Sequence, residues 1–577
     1  MKKLLKYFKG YGRESVLAPL FKMLEALFEL MIPLAVSDII DNGIGNHDKS
    51  RIFIMCGIML SLGVIGLVSS ISAQFFAAKA AVGFSSALRS SLFSHIQSFG
   101  YQATDSAGTS TLITRMTSDI NTVQTGVNLF LRLFMRSPFI VLGAMIMAFT
   151  INVKLALIFA VTIPVLAVVV FGIMLISIPI YKKVQQRLDS VVGKTRSNYN
   201  GTRVVRAFNK ENSEIEDFDK KNGLLTKIQL FAGRISALMN PLTYVIINFA
   251  VIILIRNGSQ SVYNGNISQG ELVALYNYMS QILVELIKLA NLIITLNKSM
   301  ASANRISAVL EQEGDIRPAV ENGCESADPD VLIKFDNVSY RYSPTGDDAI
   351  SGISFEVKAG QTVGIIGGTG SGKTTLVNMI PGFYHPTGGN IYIDGKNILL
   401  MDDAELRRDI GIVPQKASLF KGTVRSNLLW GKSGATDEEL WEALENAQAA
   451  DFIREKDGQL DEPVKQNGSN FSGGQKQRLT IARALVRKPR ILILDDSASA
   501  LDYATESHLR SALKKLDYSP TKFIVSQRTS SIMHADLILV LDDGMIVGAG
   551  THRELLENCE IYREIYRSQF ETEVSGK

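Results

Sequence analysis

The sequence predicts an all-α membrane domain of six spanning helices, followed by an α/β domain built on a phosphate loop. Three observations carry this. The first 310 residues hold long apolar segments, several without a single charge, whereas residues 331–577 alternate short apolar strands with helical patterns. Between them, Glu311–Asp330 holds Gly314, Pro318, Gly323 and Pro329 among several acids, the composition of a linker. The run Gly367-Gly368-Thr369-Gly370-Ser371-Gly372-Lys373-Thr374 fits G-x-x-x-x-G-K-[ST]. A β-branched strand, Thr362–Ile366, precedes it, and a helical run from Thr375 follows.

The chain has 577 residues, more than one core accommodates, and 46% of them are hydrophobic. A net charge of +4 gives no case for a nucleic-acid partner. Cys56, Cys324 and Cys559 are scattered, with neither zinc nor disulfide spacing, which points to a reducing, cytosol-facing protein.

Lys2, Lys3, Lys6 and Lys9 stand among Leu4, Leu5 and Phe8, and predict an amphipathic helix on the inner leaflet. A secretory signal does not fit, because Glu14, Lys22, Glu25 and Glu29 interrupt the apolar run that follows. Ile52–Ala78, Leu155–Tyr181 and Ile235–Ile255 are uncharged and reach the ~20 residues that a span needs. Ser137–Val153 is slightly short and is extended by Leu129–Met135. Ser15–Val36 and Leu272–Leu296 contain charges; Glu285 and Lys288 sit at helical spacing in the latter. Arg132, Arg136, Glu25, Glu29, Glu285 and Lys288 either line a cavity or pair with one another. Asp38 and Asp41, near the outer end of the first span, are candidate tethers of a closed outer gate.

The connections alternate between short and long. Lys79–Arg136 and Lys182–Arg234 are long and basic, so the positive-inside rule puts them, with the N-terminus, on the cytoplasmic side. They read as spanning helices continued into the cytoplasm, projecting nearly ~40 Å at about 1.5 Å per residue. Each turns round at a short transverse segment, near Phe99–Gly108 in the first and Asn198–Phe208 in the second.

In the phosphate loop the glycines let backbone N–H groups converge on phosphate oxygens, and the helix N-terminus adds partial positive charge. Lys373 reaches the terminal phosphates and the Thr374 hydroxyl ligates Mg²⁺, with Thr375 beside it. Arg490–Asp495 is an apolar strand ending in a carboxylate, the expected second Mg²⁺ holder. Upstream lies Phe471-Ser472-Gly473-Gly474-Gln475, followed by the basic run Lys476-Gln477-Arg478.

These motifs, in this order, resemble the nucleotide-binding domain of ABC transporters, whose signature reads Leu-Ser-Gly-Gly-Gln. The whole chain resembles an ABC exporter half-transporter, six helices (1–310), a linker (311–330) and one ATPase domain (331–577). The resemblance implies ATP and Mg²⁺ as cofactors. It implies that Tyr342 stacks on adenine, that Gln415 contacts Mg²⁺ and senses the membrane domain, and that Ser499–Asp502 crosses a dimer seam. It also makes Gly201–Glu211 the second coupling helix. In the family two ATPase domains meet head to tail, each ATP lying between one partner's phosphate loop and the other's Ser472–Gln475 equivalent.

Three positions depart from the family pattern. Asp496 stands where the family has its catalytic glutamate, and is one methylene short. Gln527 replaces the switch histidine and can neither carry charge nor relay a proton. Pro463–Gly468 lacks the acid and arginine usual before the signature. The resemblance then implies a multidrug-type heterodimeric efflux exporter in the inner (cytoplasmic) membrane, moving a small amphipathic drug or lipid, with this chain's own site degenerate. Two alternatives stay open: an ATP-binding regulatory or gating subunit, and a slow homodimeric lipid or peptide exporter.

Overall fold

The computed structural model describes residues 2–312, 331–343 and 345–570; of the expected linker, residues 313–330 lie outside them. Contacts divide the chain into two units, Met1–Ser98 with Ala107–Gln312, and Phe99–Ser106 with Glu313–Lys577. The first transverse segment thus groups with the C-terminal unit.

In the first unit the chain opens with a 3-10 helix, Lys2–Phe8, and continues through α1 (Gly12–Asp38) and α2 (Lys49–Gln97). The opening segment packs on α2, with Leu4 buried, Phe8 against the Phe84 ring at 4.5 Å and the Tyr7 hydroxyl 2.8 Å from Ser91 Oγ. The segment expected to be helical is thus a 3-10 helix that packs its apolar residues on α2. After α3 (Tyr101–Ala107) come α4 (Thr109–Thr114), α5 (Ile120–Leu133) and α6 (Arg136–Ile151). The remaining helices are α7 (Val153–Ala207), α8 (Glu211–Ala237), α9 (Met239–Tyr263) and α10 (Gln269–Glu311).

Among the described residues five helical runs are long and apolar enough to cross a membrane: Lys49–Gln97, Thr109–Ile151, Val153–Ala207, Glu211–Tyr263 and Gln269–Glu311. The first expected span forms a helix, α1, but its charges keep it out of that set. The second transverse segment also differs from expectation. Asn198–Ala207 continues α7 without a break, and the chain turns only at Phe208–Lys210. Gly201, with open space around its Cβ position, does not end the helix.

The charges in the spanning segments are mostly paired, not scattered along an open wall. Arg136 reaches Glu285 with one nitrogen and Glu29 with another, both at 2.7 Å, which links α6 to α10 and α1. Glu285 also accepts from Ser137 Oγ and Lys288 Nζ, each at 2.8 Å. Lys22 pairs with Glu25 at 2.5 Å and donates to Ser70 Oγ on α2. Burying a carboxylate or guanidinium alone costs several kcal/mol, so pairing is what permits these residues inside an apolar bundle. Arg132 has a buried Nε with no partner among the described residues.

Asp41, in the π-turn Ile39–Ile44 after α1, accepts from Ser37 Oγ (3.1 Å), Ser268 Oγ (2.5 Å) and the Gly270 N–H (2.8 Å). Its carboxylate therefore sits on the N-terminus of α10, where the helix dipole favours an anion. Gly270 is required there, because a Cβ would lie 2.3 Å from Ser37 O. Asp38 is held instead by Arg51, at 2.8 and 3.0 Å. Asp41→Ala leaves all three donors without this acceptor and is expected to cost about 2 kcal/mol of stability. It is also expected to shift the inward-to-outward ratio in ATP, read by spin-label distances across the outer helix ends. An unchanged ratio would reduce Asp41 to a local cap.

The C-terminal unit is an α/β domain. Its strands begin with β1 (Val331–Tyr340), β2 (Ile350–Lys358) and β3 (Thr362–Gly367), and α11 (Lys373–Met379) follows the phosphate loop. Next are β4 (Gly388–Ile393), β5 (Lys396–Asn397), α12 (Asp403–Arg408), β6 (Ile410–Val413) and β7 (Gly422–Thr423). A helical insert follows: α13 (Val424–Leu428), α14 (Asp437–Asn446) and α15 (Ala450–Arg454), ending at β8 (Pro463–Val464), which pairs with β7. Then come α16 (Gly473–Leu485), β9 (Ile491–Asp495), α17 (Tyr503–Lys514), β10 (Thr521–Val525) and α18 (Thr529–Ile532). The domain closes with β11 (Leu537–Asp542), β12 (Met545–Gly550), α19 (His552–Asn558) and α20 (Glu560–Phe570).

The six-stranded sheet has the order β12-β11-β3-β10-β9-β6 and is parallel except at β12. β3 and β9 flank β10 in parallel, which brings the phosphate loop and Asp495 to the same C-terminal edge of the sheet. An antiparallel sheet, β2-β1-β4-β5, packs on this one through Phe335, Ile353, Val363 and Phe523. Phe99–Ser106 joins the same unit: Tyr101 stacks on Phe383 at 4.1 Å, and the Tyr384 hydroxyl donates to Asp105 at 3.3 Å.

Candidate nucleotide site

The phosphate loop wraps the N-terminus of α11, and Gly372 at φ +93° places the turn. A Cβ there would lie 2.7 Å from Ala349 O, so the left-handed backbone and the close approach both demand glycine. Lys373 is buried; its ammonium donates to Gly367 O (3.0 Å), Gly368 O and Ser371 Oγ (3.2 Å). Burial pushes this ammonium below its ordinary value, against the pull of Asp496 and Asp495. Thr374 Oγ1 donates to Asp495 Oδ1 at 3.1 Å, so the hydroxyl and carboxylate expected to share a cation already face each other. Burial raises the Asp495 carboxyl above the usual range, partly offset by Thr374. A cradle that excludes a Cβ, a cationic side chain at its rim and an oxygen pair at 3.1 Å fit a nucleotide with a divalent cation.

Tyr342 stands beside the loop with its hydroxyl 2.8 Å from Thr375 Oγ1. Tyr340 and Tyr384 hold its ring edge-on, at 4.9 and 5.3 Å, and it stays 47% exposed, leaving a face for a planar ligand. Gln415 Nε2 lies 3.5 Å from Asp496 Oδ2. Asp496 has φ +46°, a conformation that Asp tolerates better than most residues. Its backbone is pinned: the N–H donates to Val525 O, and the carbonyl accepts from Gln477 Nε2 at 3.3 Å. Burial raises the Asp496 carboxyl, opposed by the Gln415 bond and the charges of Arg528 and Lys373. Asp496 and Gln527 line one cavity of about 220 Å³, with Ser499, Ser526 and Arg528.

Ser472 is the N-cap of α16. Its Oγ accepts the Gln475 N–H at 3.3 Å, and Gln475 Oε1 accepts the Ser472 N–H at 3.0 Å. This box occupies the Gln475 side chain but leaves the Ser472 hydroxyl proton available. Gly473 is open, with only Ala500 Cβ at 3.9 Å from its Cβ position; Gly474 is tight against Ala500 O at 3.1 Å. Asp502 caps α17, accepting from Thr505 N–H at 2.9 Å, and backbone and hydroxyl donors hold its carboxyl below the usual range. Among the described residues no hydrogen bond or ion pair joins Ser472–Gln475 to the phosphate loop.

The sequence points neither to Arg528 nor to Glu506, and it names Gln477 only within a basic run, without its bond to Asp496 O. Arg528 donates to buried Glu506 at 3.1 Å and bears on Asp496. No local motif marks Glu506; its only signal is a carboxylate on the inner face of an amphipathic helix.

A phosphate-loop domain with an acidic strand and a capped Ser-Gly-Gly-Gln helix, fused behind membrane-spanning helices, defines an ATP-dependent membrane transporter. The family models agree: residues 15–286 match the ABC transporter transmembrane region and residues 350–499 the ABC transporter domain. The chain is similar to the ABC transporter ATP-binding protein YfiB of Bacillus subtilis, at 37% identity over 575 residues and 100% of each chain. It is also similar to a candidate export ATP-binding/permease protein of Rickettsia felis, 30% identical over 581 residues and 98% of each chain. The solved structure of a bacterial Atm1-family ABC exporter with ATP bound shares the fold, with a TM-score of 0.78 at 24% identity over 97% of this chain and 98% of that one. The chain belongs to the ABC transporter family, with membrane region and ATPase domain fused. Its ATPase domain binds ATP and couples hydrolysis to transport.

Proposed function

We propose that this chain is one half of a heterodimeric exporter in the cytoplasmic membrane, that it moves a small amphipathic drug or lipid outward, and that its own ATP site is degenerate. The observation that carries this is the cavity holding Asp496 and Gln527 beside a complete nucleotide cradle. Lys373 and the loop N–H groups would bind the phosphates, Thr374, Asp495 and Gln415 would hold the Mg²⁺ that offsets phosphate charge, and Tyr342 would offer its open face to adenine.

The catalytic deficit is one of reach. Burial moves Asp496 in the direction that a general base needs, but the side chain is one methylene short, and a misplacement of 1 Å costs about 10²-fold. Gln527 cannot supply the charge or proton that a histidine would. By contrast Ser472, with its hydroxyl proton free, and the unobstructed Gly473 are shaped to meet a phosphate held by another chain. That complementarity supports head-to-tail pairing with a partner whose site does most of the hydrolysis. The word export in the Rickettsia relative's name agrees with this direction.

The test is to co-purify the chain with its partner and measure ATP turnover in lipid with and without candidate amphiphiles. The expected result is a second half-transporter with Glu and His at the positions matching Asp496 and Gln527, and turnover that rises with substrate. A homodimer with full turnover removes the heterodimer, and turnover indifferent to every amphiphile favours a gating subunit.

A further inference from the structure

β10 runs between β3 and β9 near the centre of the six-stranded sheet. A strand covered on both faces is expected to be apolar throughout. Phe523 and Val525 obey this and sit in the core with Phe335 and Ile353. Lys522 and Ile524 point to the other face, and both are only half-buried. There they line a cavity of about 340 Å³ whose opposite wall is one stripe of α17: Leu509, Arg510, Leu513 and Lys514. This size falls at the lower end of small-molecule sites.

The charges in this cavity do not balance. Of its two acids, Glu506 is paired with Arg528 and accepts from Ser531 Oγ, and Asp536 accepts the neutral Thr362 N–H at 2.7 Å, which leaves one carboxylate charge against Arg510, Lys514 and Lys522. Arg510 donates to Ser530 O. The ammonium groups of Lys514 and Lys522 have neither a hydrogen bond nor an ion pair among the described residues, and His534 stands exposed at the rim. Burial depresses the Lys522 ammonium; Asp536 opposes that shift and Lys514 adds to it. Two lysine ammoniums facing one cavity, one of them half-buried and neither hydrogen-bonded to a counter-charge, form a placement that a bound anion stabilises.

We propose that this cavity binds a small amphipathic anion, with an aryl or short alkyl body on Leu509, Leu513 and Ile524 and a carboxylate between Lys514 and Lys522. The site is separate from the phosphate loop and independent of the exporter reading above.

The probe is 4-fluorophenylacetate, followed by fluorine NMR line broadening on the full assembled transporter in nanodiscs, with empty nanodiscs subtracted. 4-Fluorophenethylamine, of similar body and opposite charge, is the control. The acid is expected to bind and the amine not. Lys522→Met and the surface variant Lys514→Glu are each expected to weaken the acid about tenfold or more. Labelling by a photoreactive ATP analogue checks that both variants are folded, and if Lys522→Met loses it, Lys514→Glu decides alone. Equal binding of acid and amine, no binding of the acid at millimolar concentration, or full binding by the folded variants overturns the site.

Discussion

Lys373→Ala is expected to abolish tight ATP binding at this chain's own site. The ammonium is buried, and its donors now rest on two loop carbonyls and Ser371. A phosphate replaces those neutral acceptors with anionic ones, and such charge-assisted bonds are about twice as strong. Losing two of them at ~1.5–3 kcal/mol each weakens binding by about 10² to 10⁴-fold. The measurement is occupancy by a photoreactive ATP analogue in the assembled transporter, with label assigned to each chain. Unchanged labelling of this chain would remove Lys373 from the site.

The second large effect comes from setting Gly473→Glu against Asp496→Asn. In the proposed head-to-tail arrangement Asp496 would act on ATP held by Lys373, whereas Ser472 and Gly473 would act on ATP held by the partner. Asp496→Asn is therefore expected to change steady-state ATP turnover little, within about twofold. Gly473→Glu is expected to remove most of it, because a glutamate there adds bulk and like-charge repulsion against phosphate. Within its own chain Gly473 has room, with nothing nearer than 3.9 Å, so the variant folds and the loss reports on the interface. Nucleotide binding and assembly are checked in both. If Asp496→Asn is as inactive as Gly473→Glu, this chain's own site is the working one and the degenerate reading falls.

Both experiments use residues that a reader of the sequence can find. Lys373 and Gly473 lie in contiguous motifs whose spacing is the chemistry: glycines where backbone must approach phosphate, a lysine one residue into a helix, a serine at an N-cap. Other features escaped because their partners are far away in sequence. Arg136, Glu29 and Glu285 could be named as charges in spanning helices, but whether they line a cavity or pair was settled only by their meeting at 2.7 Å across 107 and 149 residues. Likewise α7 runs straight through the segment expected to turn, because nothing from Asn198 to Ala207 breaks a helix strongly enough.

The sequence by itself determined the two-domain order, the membrane-spanning character of the first half, the nucleotide cradle and the two departures at Asp496 and Gln527. Each is a local property: an apolar run long enough for a bilayer, a glycine loop between strand and helix, an Asp and a Gln where the family resemblance expects Glu and His. Only the tertiary structure decided that Asp496 sits at φ +46°, that Asp41 anchors the start of α10, and that Lys522 lines a cavity opposite α17. Those depend on which strand lies beside which and on how a helix is rotated above a sheet. Both are set by the packing of the whole core, which no short window of sequence contains.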